Sequence, residues 1–325
     1  MKSLLKLWNV LLMVLLLPGI AACSNDDDDN GIPPTVETNT IADFVASNEN
    51  YSSLEAALEA TGLTETLDNS TEYTVFAPDN DAFEAFLSAN GFANLEEVPL
   101  DLLTRLLLNH VQAGSISSGD LTTGYIESMA VGMAFEENLS MYIDTSDGVM
   151  INGVARVVTA DVEVDNGVIH AVDAVIGLPD ITTFALADPT FEILVNALTR
   201  EESFSFVETL MMTSDPAPFT VFAPTNDAFS MLLTELDAES LADFPTEVLQ
   251  NTLSYHVISG ANVRSSDLMD DMQAEMLNGE MVIVNLSDAV ILTDVNDRMA
   301  TVVAANVQAN NGVIHVIDTV LLPSM

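Results

Sequence analysis

Four histidines are the side chains best suited to proton transfer or metal binding at neutral pH, and they fall into two equivalent pairs. His110 and His170 lie in the first half of the chain, while His256 and His315 occupy matching positions in the second half. Within each pair the spacing is 60 or 59 residues, so no two histidines can ligate a metal from adjacent turns of one helix. Because His170 and His315 sit inside apolar runs, we expect both to be buried and hydrogen-bonded.

Two aspartates could extend this chemistry to acid–base catalysis. Asp173 and Asp318 each follow the second histidine of a pair by three residues. The sequence contains no G-x-S-x-G elbow, P-loop or dinucleotide-binding glycine pattern. Since no nucleophile accompanies the aspartates, we interpret them as structural partners of polar groups. The sequence therefore predicts a protein that is not an enzyme and that needs no cofactor.

Cysteine and calcium-type metal sites are both disfavoured. Cys23 is the single cysteine, which excludes an intrachain disulfide and paired-cysteine metal sites. Residues 26–37 match the spacing of a calcium-binding loop, but no helical pattern precedes Asp26 and Pro33-Pro34 interrupt the second half. A working EF-hand needs two flanking helices to hold its ligands. We therefore predict no metal site.

The charge of the chain excludes nucleic acid as a partner. Fifty acidic residues stand against seven lysines and arginines, which gives a formal net charge of −43. Such a surface repels phosphate backbones. We interpret the acidity as a solvated, soluble surface. Bridging by divalent cations, or attraction to basic partners, is the alternative interpretation.

The N-terminus has the order of a bacterial lipoprotein signal. Two lysines precede a leucine-rich run, and small residues precede Cys23. Residues 20–23, IAAC, resemble a lipobox, which implies that Cys23 is lipidated and anchors the protein in the outer membrane. The acidic run at 24–29 resembles the surface-export signal of Bacteroidetes-type lipoproteins, which implies exposure at the cell surface. An uncleaved membrane anchor is the alternative, although the apolar run is short for a membrane span.

Three sequence boxes are each written twice with nearly the same period, which indicates a tandem duplication. Phe222 follows Phe76 by 146 residues, and Gly312 follows Gly167 by 145. The boxes are residues 73–86 and 219–229, residues 106–114 and 252–260, and residues 166–179 and 311–323. We assign 1–22 to the signal peptide, 23–39 to a lipidated acidic tether, and 40–179 and 180–325 to two domains.

Each box predicts a local structure. In the first box, alternating aromatic and β-branched residues predict a half-buried strand, ended by proline and followed by a capped helix. In the third box, Asn-Gly predicts a tight turn and the apolar run predicts a buried strand. Helical patterns come early and strand patterns late in each domain, which predicts an α+β fold. Six extra residues in the second domain, placed around 211–218, predict a longer surface loop.

Taken together, TVFAP-x-N-D-AF, the Tyr-His pair and NGVIH-x-x-D-x-V-L-x-P resemble the fasciclin-type domain. Two copies cover nearly everything after residue 40. The resemblance implies a tandem pair of fasciclin-type domains, each a β-sandwich or wedge with helices packed at one side. It also implies a role in adhesion.

The resemblance supplies candidate ligand-binding residues. In animal members, a Tyr-His segment and an Asp-Ile pair just before the third box are associated with receptor binding. Tyr255 and His256 match the first segment, whereas the first domain has His110 without the tyrosine. Asp161 and Val162 occupy the place of the second pair, whose isoleucine is not kept. For Tyr255 and His256, packing in the core is the alternative interpretation.

These observations predict a lipid-anchored, surface-exposed adhesion protein whose partner is an extracellular glycan or a matrix or cell-surface protein. A structural spacer without a specific ligand is the alternative, and an enzyme with an unrecognised pocket is the third possibility. Surface shape discriminates among them. A contiguous apolar patch on one domain favours adhesion, a uniformly acidic surface favours the spacer, and a deep polar pocket favours the enzyme.

Overall fold

The computed structural model describes residues 39–132 and 135–324, so the predicted signal peptide and Cys23 lie outside the described residues. Each half of the described chain begins with helices and ends with strands. The strands of each half form one mixed sheet. The α+β prediction is confirmed.

Helices open each domain and recur after its first strand. The first domain contains α1 (Ile41–Ser47), α2 (Ser52–Thr61), α3 (Thr64–Leu67), α4 (Asn80–Asn90) and α5 (Leu100–Leu108). The second contains α6 (Ile181–Ala187), α7 (Glu192–Leu198), α8 (Phe206–Leu210), α9 (Asn226–Glu235) and α10 (Thr246–Ser254). The predicted caps of the first box are present, because the side chains of Asp79 and Thr225 accept backbone N–H groups in the first turns of α4 and α9.

Seven strands follow the same order in each domain. The first domain contains β1 (Tyr73–Pro78), β2 (Val111–Ala113), β3 (Gly124–Val131), β4 (Asn138–Asp144), β5 (Met150–Ile151), β6 (Ala155–Val164) and β7 (Gly167–Val172). The second contains β8 (Phe219–Pro224), β9 (Val257–Ser259), β10 (Met272–Glu275), β11 (Met281–Leu286), β12 (Val290–Thr293), β13 (Met299–Ala309) and β14 (Gly312–Ile317).

The two sheets have identical topology. Their strand orders are β2-β1-β7-β6-β5-β4-β3 and β9-β8-β14-β13-β12-β11-β10. The first and third boxes pair in parallel as the second and third strands from one edge of each sheet, which places Phe76 beside His170 and Phe222 beside His315. The remaining strand pairs are antiparallel. Segments from opposite ends of each domain therefore form its parallel ladder.

The first-box strand is buried on both faces, so the half-buried prediction is wrong. Val75 packs into the core beneath the helices, whereas Phe76 packs with Met141 and Ile151 in a second core. All six residues of β1 are buried, and β8 shows the same pattern. The physical reason is that the far strands of the sheet bend over the parallel pair and cover the face that alternation assigns to solvent. This bend makes each domain a wedge with helices on one side.

The third box turns one residue earlier than the sequence predicts. The turn residues are Asp165 and Asn166, and Gly167 is already the first residue of β7. Glycine is needed there because a Cβ atom on Gly167 would stand 1.9 Å from the carbonyl oxygen of Tyr73. A Cβ atom on Gly312 would stand 2.2 Å from the Phe219 carbonyl oxygen.

The six extra residues of the second domain are divided between two places, which corrects their assignment to a single loop. Asn166 contacts the carbonyl oxygen of Leu67, and Asn311 makes the equivalent contact with Leu210. Leu210 follows Leu67 by 143 residues, midway between the offset of 140 at the first helices and 146 at the first box. Three extra residues therefore precede α8 and three follow it.

An aromatic contact joins the two domains. Tyr142 of β4 belongs to the hydrophobic core of the second domain, and Tyr125 of β3 packs edge-on against Phe184 at 5.6 Å between ring centroids. The Tyr125 hydroxyl donates to the Asp188 carboxylate over 2.9 Å. Burial, followed by the charge of Asp188, raises the pKa of Tyr125, so the hydroxyl keeps its proton.

Polar contacts surround this aromatic centre. The Gln308 N–H donates to the Ser140 hydroxyl over 2.9 Å, and the Asn310 N–H donates to the Pro179 carbonyl over 2.7 Å. The buried guanidinium of Arg105 donates to the side chain of Asn310. The short connection between the domains thus acts together with a packed interface, which the sequence did not reveal.

Candidate functional site

The Tyr-His box positions the final segment of each domain through a neutral histidine. The Leu321 N–H donates to His256 Nε2 over 3.0 Å, so the proton of the ring lies on Nδ1 and is donated to the Thr252 carbonyl over 2.7 Å. His110 makes the same two contacts in the first domain. Both rings are buried. They therefore tie the end of the preceding helix to the segment that follows the last strand.

Tyr255 and its first-domain counterpart, Asn109, form hydrogen bonds with different parts of their domains. The Tyr255 hydroxyl donates to the Met281 carbonyl over 2.7 Å and accepts the Val295 N–H over 3.2 Å, which holds the β11 and β12 ends together. In the first domain Asn109 is buried instead and donates to the Gly177 carbonyl over 2.9 Å. Burial raises the pKa of Tyr255 to about 12, so it stays a neutral donor.

The other two histidines support a bulge at the second predicted site. The Asp161 N–H donates to His170 Nδ1 over 3.2 Å, and His170 Nε2 donates to the Ile116 carbonyl over 3.0 Å. Asp161 has a left-handed backbone with φ of 59° and interrupts the β6–β7 register. His315 makes the equivalent contacts in the second domain. Both rings are buried and hydrogen-bonded, as their apolar surroundings predict.

Asp161 is the exposed member of the predicted ligand-binding set. Its carboxylate accepts the N–H and the hydroxyl of Ser118, and these hydrogen bonds lower its pKa. Val162 is half-buried against the helix-side core. Asp161 thus lies at the surface, whereas His110, Tyr255 and His256 are buried inside the fold. Their direct contact with a ligand stays a prediction.

An apolar cleft opens beside the segment that His256 holds. Its volume is about 400 Å³, and its walls come from α9, the loop to α10, α10 itself and residues 322–324. Phe229 and Leu249 form its floor, while Leu236 and Val248 remain 42% and 46% exposed at its edge. Among the described residues this cleft combines enclosure with exposed apolar side chains, which is typical of a binding surface.

Hydrogen bonds from buried and rim residues fix the C-terminal wall of the cleft. The Asp294 carboxylate accepts the Leu322 N–H over 2.9 Å, and the Asn296 side chain donates to the Leu322 carbonyl over 2.7 Å. Glu280 accepts both the N–H and the hydroxyl of Ser324. Together with His256 at Leu321, these contacts make the wall a defined surface.

One acidic residue lines the cleft, and sequence reasoning missed the cleft's apolar residues. Glu247 lines the cleft, and the connecting loop adds Asp237, Glu239 and Asp243 close by in the chain. A signal was present in the duplication, because Leu236 follows Asn90 by 146 residues. Leu236 is apolar where the equivalent exposed residue, Asn90, is polar, and this difference between the repeats could have marked the site.

The described residues offer neither a clustered metal site nor a membrane span. Within residues 39–132 and 135–324, no group of three histidine, aspartate or glutamate side chains is placed to hold a metal ion. In the same residues, no helix has the length and apolar character needed to cross a bilayer.

The buried histidines predict acid sensitivity. Burial lowers the pKa of His110 and of His256 to about 4, against about 6.5 in the unfolded chain. Above pH 6.5 both rings are neutral in the folded and unfolded chain, and the free energy of unfolding is at its full value. Below pH 6.5 the unfolded chain binds protons that the buried rings do not, so the free energy of unfolding falls until the pH reaches about 4. Between pH 7.5 and 5.5 each histidine should lower the free energy of unfolding by about 1.4 kcal/mol.

Urea denaturation at the two pH values measures this loss, in a range above the titration of ordinary carboxyl groups. The variant His256→Gln should lose less stability across the same interval than the unmodified chain. Equal stability of the unmodified chain at pH 7.5 and 5.5 would contradict the assignment of neutral, buried rings.

Comparison with known proteins agrees with the fold and its duplication. The Fasciclin domain family matches residues 49–179 and 189–323. Protein sll1483 of Synechocystis sp. is 36% identical over 137 residues, which cover 42% of this chain and 72% of that protein. A second Synechocystis sp. protein, sll1735, is 32% identical over 45% of this chain and 98% of its own length.

More distant similarity extends across both domains. The rabbit (Oryctolagus cuniculus) transforming growth factor-beta-induced protein ig-h3 is 27% identical over 77% of this chain but only 35% of its own length. A solved FAS1 domain pair from the insect cell adhesion molecule Fasciclin I is 20% identical, with a TM-score of 0.46, and covers 86% of this chain and 95% of that one. The two family matches span most of the sequence, and the chain belongs to the fasciclin domain family as a tandem pair.

Proposed function

We propose that this protein is a surface adhesion protein whose second domain binds its partner through the cleft between α9 and α10. The observation that carries the proposal is the contiguous apolar lining of that cleft, with Leu236 and Val248 exposed at its edge. Such a patch favours adhesion over a spacer without a specific ligand. Its lining, dominated by apolar side chains, also offers little to an enzyme reaction.

Family membership supports the same function. Fasciclin domains in homologous proteins are associated with cell adhesion and matrix binding. This association is coarse, because it names neither the ligand of this chain nor the domain that binds it. The cleft supplies the finer part of the proposal.

The chemistry of the cleft favours a protein partner over a glycan. Burying an apolar side chain in it is favourable by about 1.5–3 kcal/mol, whereas a sugar needs many polar partners. Glu247 in the lining, together with the acidic residues of the loop between α9 and α10, attracts basic groups that flank such a side chain. We therefore propose a matrix or cell-surface protein segment with apolar side chains between basic residues. An extracellular glycan is the second candidate.

We further propose that lipidated Cys23 anchors the two domains at the surface of the outer membrane. The proposal rests on the resemblance of residues 20–23 to a lipobox and on the acidic run that follows. Several acyl chains on one cysteine hold a protein firmly to a bilayer. The acidic tether would then carry the adhesive domains away from the membrane.

Replacing the exposed cleft residues tests the adhesive surface. The double variant Leu236→Gln/Val248→Gln keeps the charge unchanged and removes apolar area that a partner would bury. We expect at least a tenfold loss of binding, which is about 1.4 kcal/mol. Binding is measured on surfaces coated with collagen, fibronectin or dextran. Leu100→Gln is the matched control, because Leu100 is 59% exposed at the start of α5 in the first domain.

The outcomes separate adhesion from the alternative functions. Loss of protein binding in the cleft variant alone supports the proposal. Equal binding by the cleft variant and the Leu100→Gln control would show that the cleft does not bind the partner. A chain that binds none of the coated surfaces would favour the spacer.

Membrane fractionation tests the anchor. The variant Cys23→Ala should move from the membrane fraction into the soluble fraction, because isolated short apolar segments bind bilayers weakly. Cys23 is the single cysteine, so no other thiol can take its place. A variant that stays with the membrane would show that the N-terminal apolar run is itself the anchor.

A further inference from the structure

The helical layer of the second domain encloses a cavity that the adhesion proposal does not use. Its volume is about 100 Å³. Side chains from four helices line it, among them Ala185, Leu194, Leu198, Val207, Leu210 and Leu253. The cavity and the cleft share no lining residue, although α10 contributes Leu253 to the cavity and Leu249 to the cleft.

The duplication supplies a matched comparison for this cavity. The same place in the first domain holds a space of only about 10 Å³, lined by Val45, Leu54, Leu58 and their neighbours. Val45 is 1% exposed and fills the position that Ala185 occupies 140 residues later. Alanine lacks the two methyl groups with which valine fills this space.

A shorter helix also widens the cavity. The helix α7 ends after seven residues, whereas its counterpart α2 continues for ten. Three of the extra residues of the second domain lie in the loop between α7 and α8, and α8 contributes Val207 and Leu210 to the wall. One substitution and one rearranged loop therefore create a space that the first domain fills.

The lining presents carbon to the cavity. His256 is part of the wall, but its Nδ1 donates to the Thr252 carbonyl and its Nε2 accepts the Leu321 N–H. Neither nitrogen is left to bind a polar group. Apolar cavities of comparable size in proteins stay dry and admit small apolar molecules.

The cavity has an entrance at the surface. Leu186 lines it and is 72% exposed, while Thr182 and Val195 are half-buried beside it. A ligand can therefore enter between α6 and α7 without unfolding the domain. A polar head group would remain at this entrance.

We propose that the second domain binds the alkyl end of a small molecule in this cavity. The apolar lining binds the alkyl group by removing it from water, and the volume of the cavity admits only a few carbon atoms. A polar group carried inward would lose its hydrogen bonds with water and find no partner. Binding in this pocket is independent of the adhesive cleft.

Hexan-1-ol is the probe, because its alkyl end can enter while its hydroxyl stays in water. Calorimetry and methyl NMR on the two-domain chain should show saturable binding at one site, with shifts of Leu194 and Leu198 methyl signals. Hexane-1,6-diol has the same length and must bury a hydroxyl, so it should bind at least tenfold more weakly. Absence of saturable hexan-1-ol binding would overturn the proposal.

Restoring the first-domain residue makes the test specific. Ala185→Val introduces the valine found at position 45 and should weaken hexan-1-ol binding at least tenfold. Val207→Leu is a second filling variant if Ala185→Val does not fold, as judged by circular dichroism. Unchanged affinity in a folded filling variant would overturn the proposal.

The cleft variant Leu236→Gln/Val248→Gln distinguishes this proposal from the adhesive function. It should bind hexan-1-ol as the unmodified chain does, even where it has lost protein binding. Loss of hexan-1-ol binding in that variant would place the probe in the cleft and overturn the assignment to the cavity.

Discussion

Each domain depends on one buried asparagine that precedes its last strand. In the second domain the Asn311 side-chain oxygen accepts the Ile181 N–H over 3.0 Å, and its amide donates to the carbonyl oxygens of Leu210 and Met212. Asn166 makes the same three contacts in the first domain. A single side chain thus satisfies an N–H at the start of the first helix, closes the α8 loop and fixes the start of the last strand.

The interface and the candidate site both follow from this arrangement. Asn310, the neighbour of Asn311, donates to the Pro179 carbonyl and contacts Arg105, so the turn that closes the second domain also docks it on the first. The strand that starts after Asn311 runs into the segment held by His256, which forms the wall of the apolar cleft. The closure of the second domain, its docking on the first domain and the shape of the cleft therefore all depend on the residues at the two ends of β14.

The sequence predicts the repeated core well and the surfaces poorly. Duplication, the α+β class and the buried histidines such as His170 follow from local patterns, because burial and capping leave a regular periodicity. The second buried face of β1 does not follow, since strand alternation cannot show that a sheet bends over itself. The Tyr125–Asp188 contact depends on residues far apart in the chain, and a single sequence does not encode such proximity in any spacing. The repeat offset could have marked Leu236 as an exposed apolar residue, but it does not show that residues 322–324 line the same cleft.

The most direct test of this account is the free energy of unfolding of Asn311→Ala. The substitution leaves three backbone groups without their partner, each at a cost of about 1–3 kcal/mol, so we expect a loss of about 3 kcal/mol or more. Asn90→Ala is the control, because Asn90 is exposed at the end of α4, and its stability should stay within about 0.5 kcal/mol of the unmodified chain. A loss below about 1 kcal/mol in Asn311→Ala would contradict the central role of this asparagine.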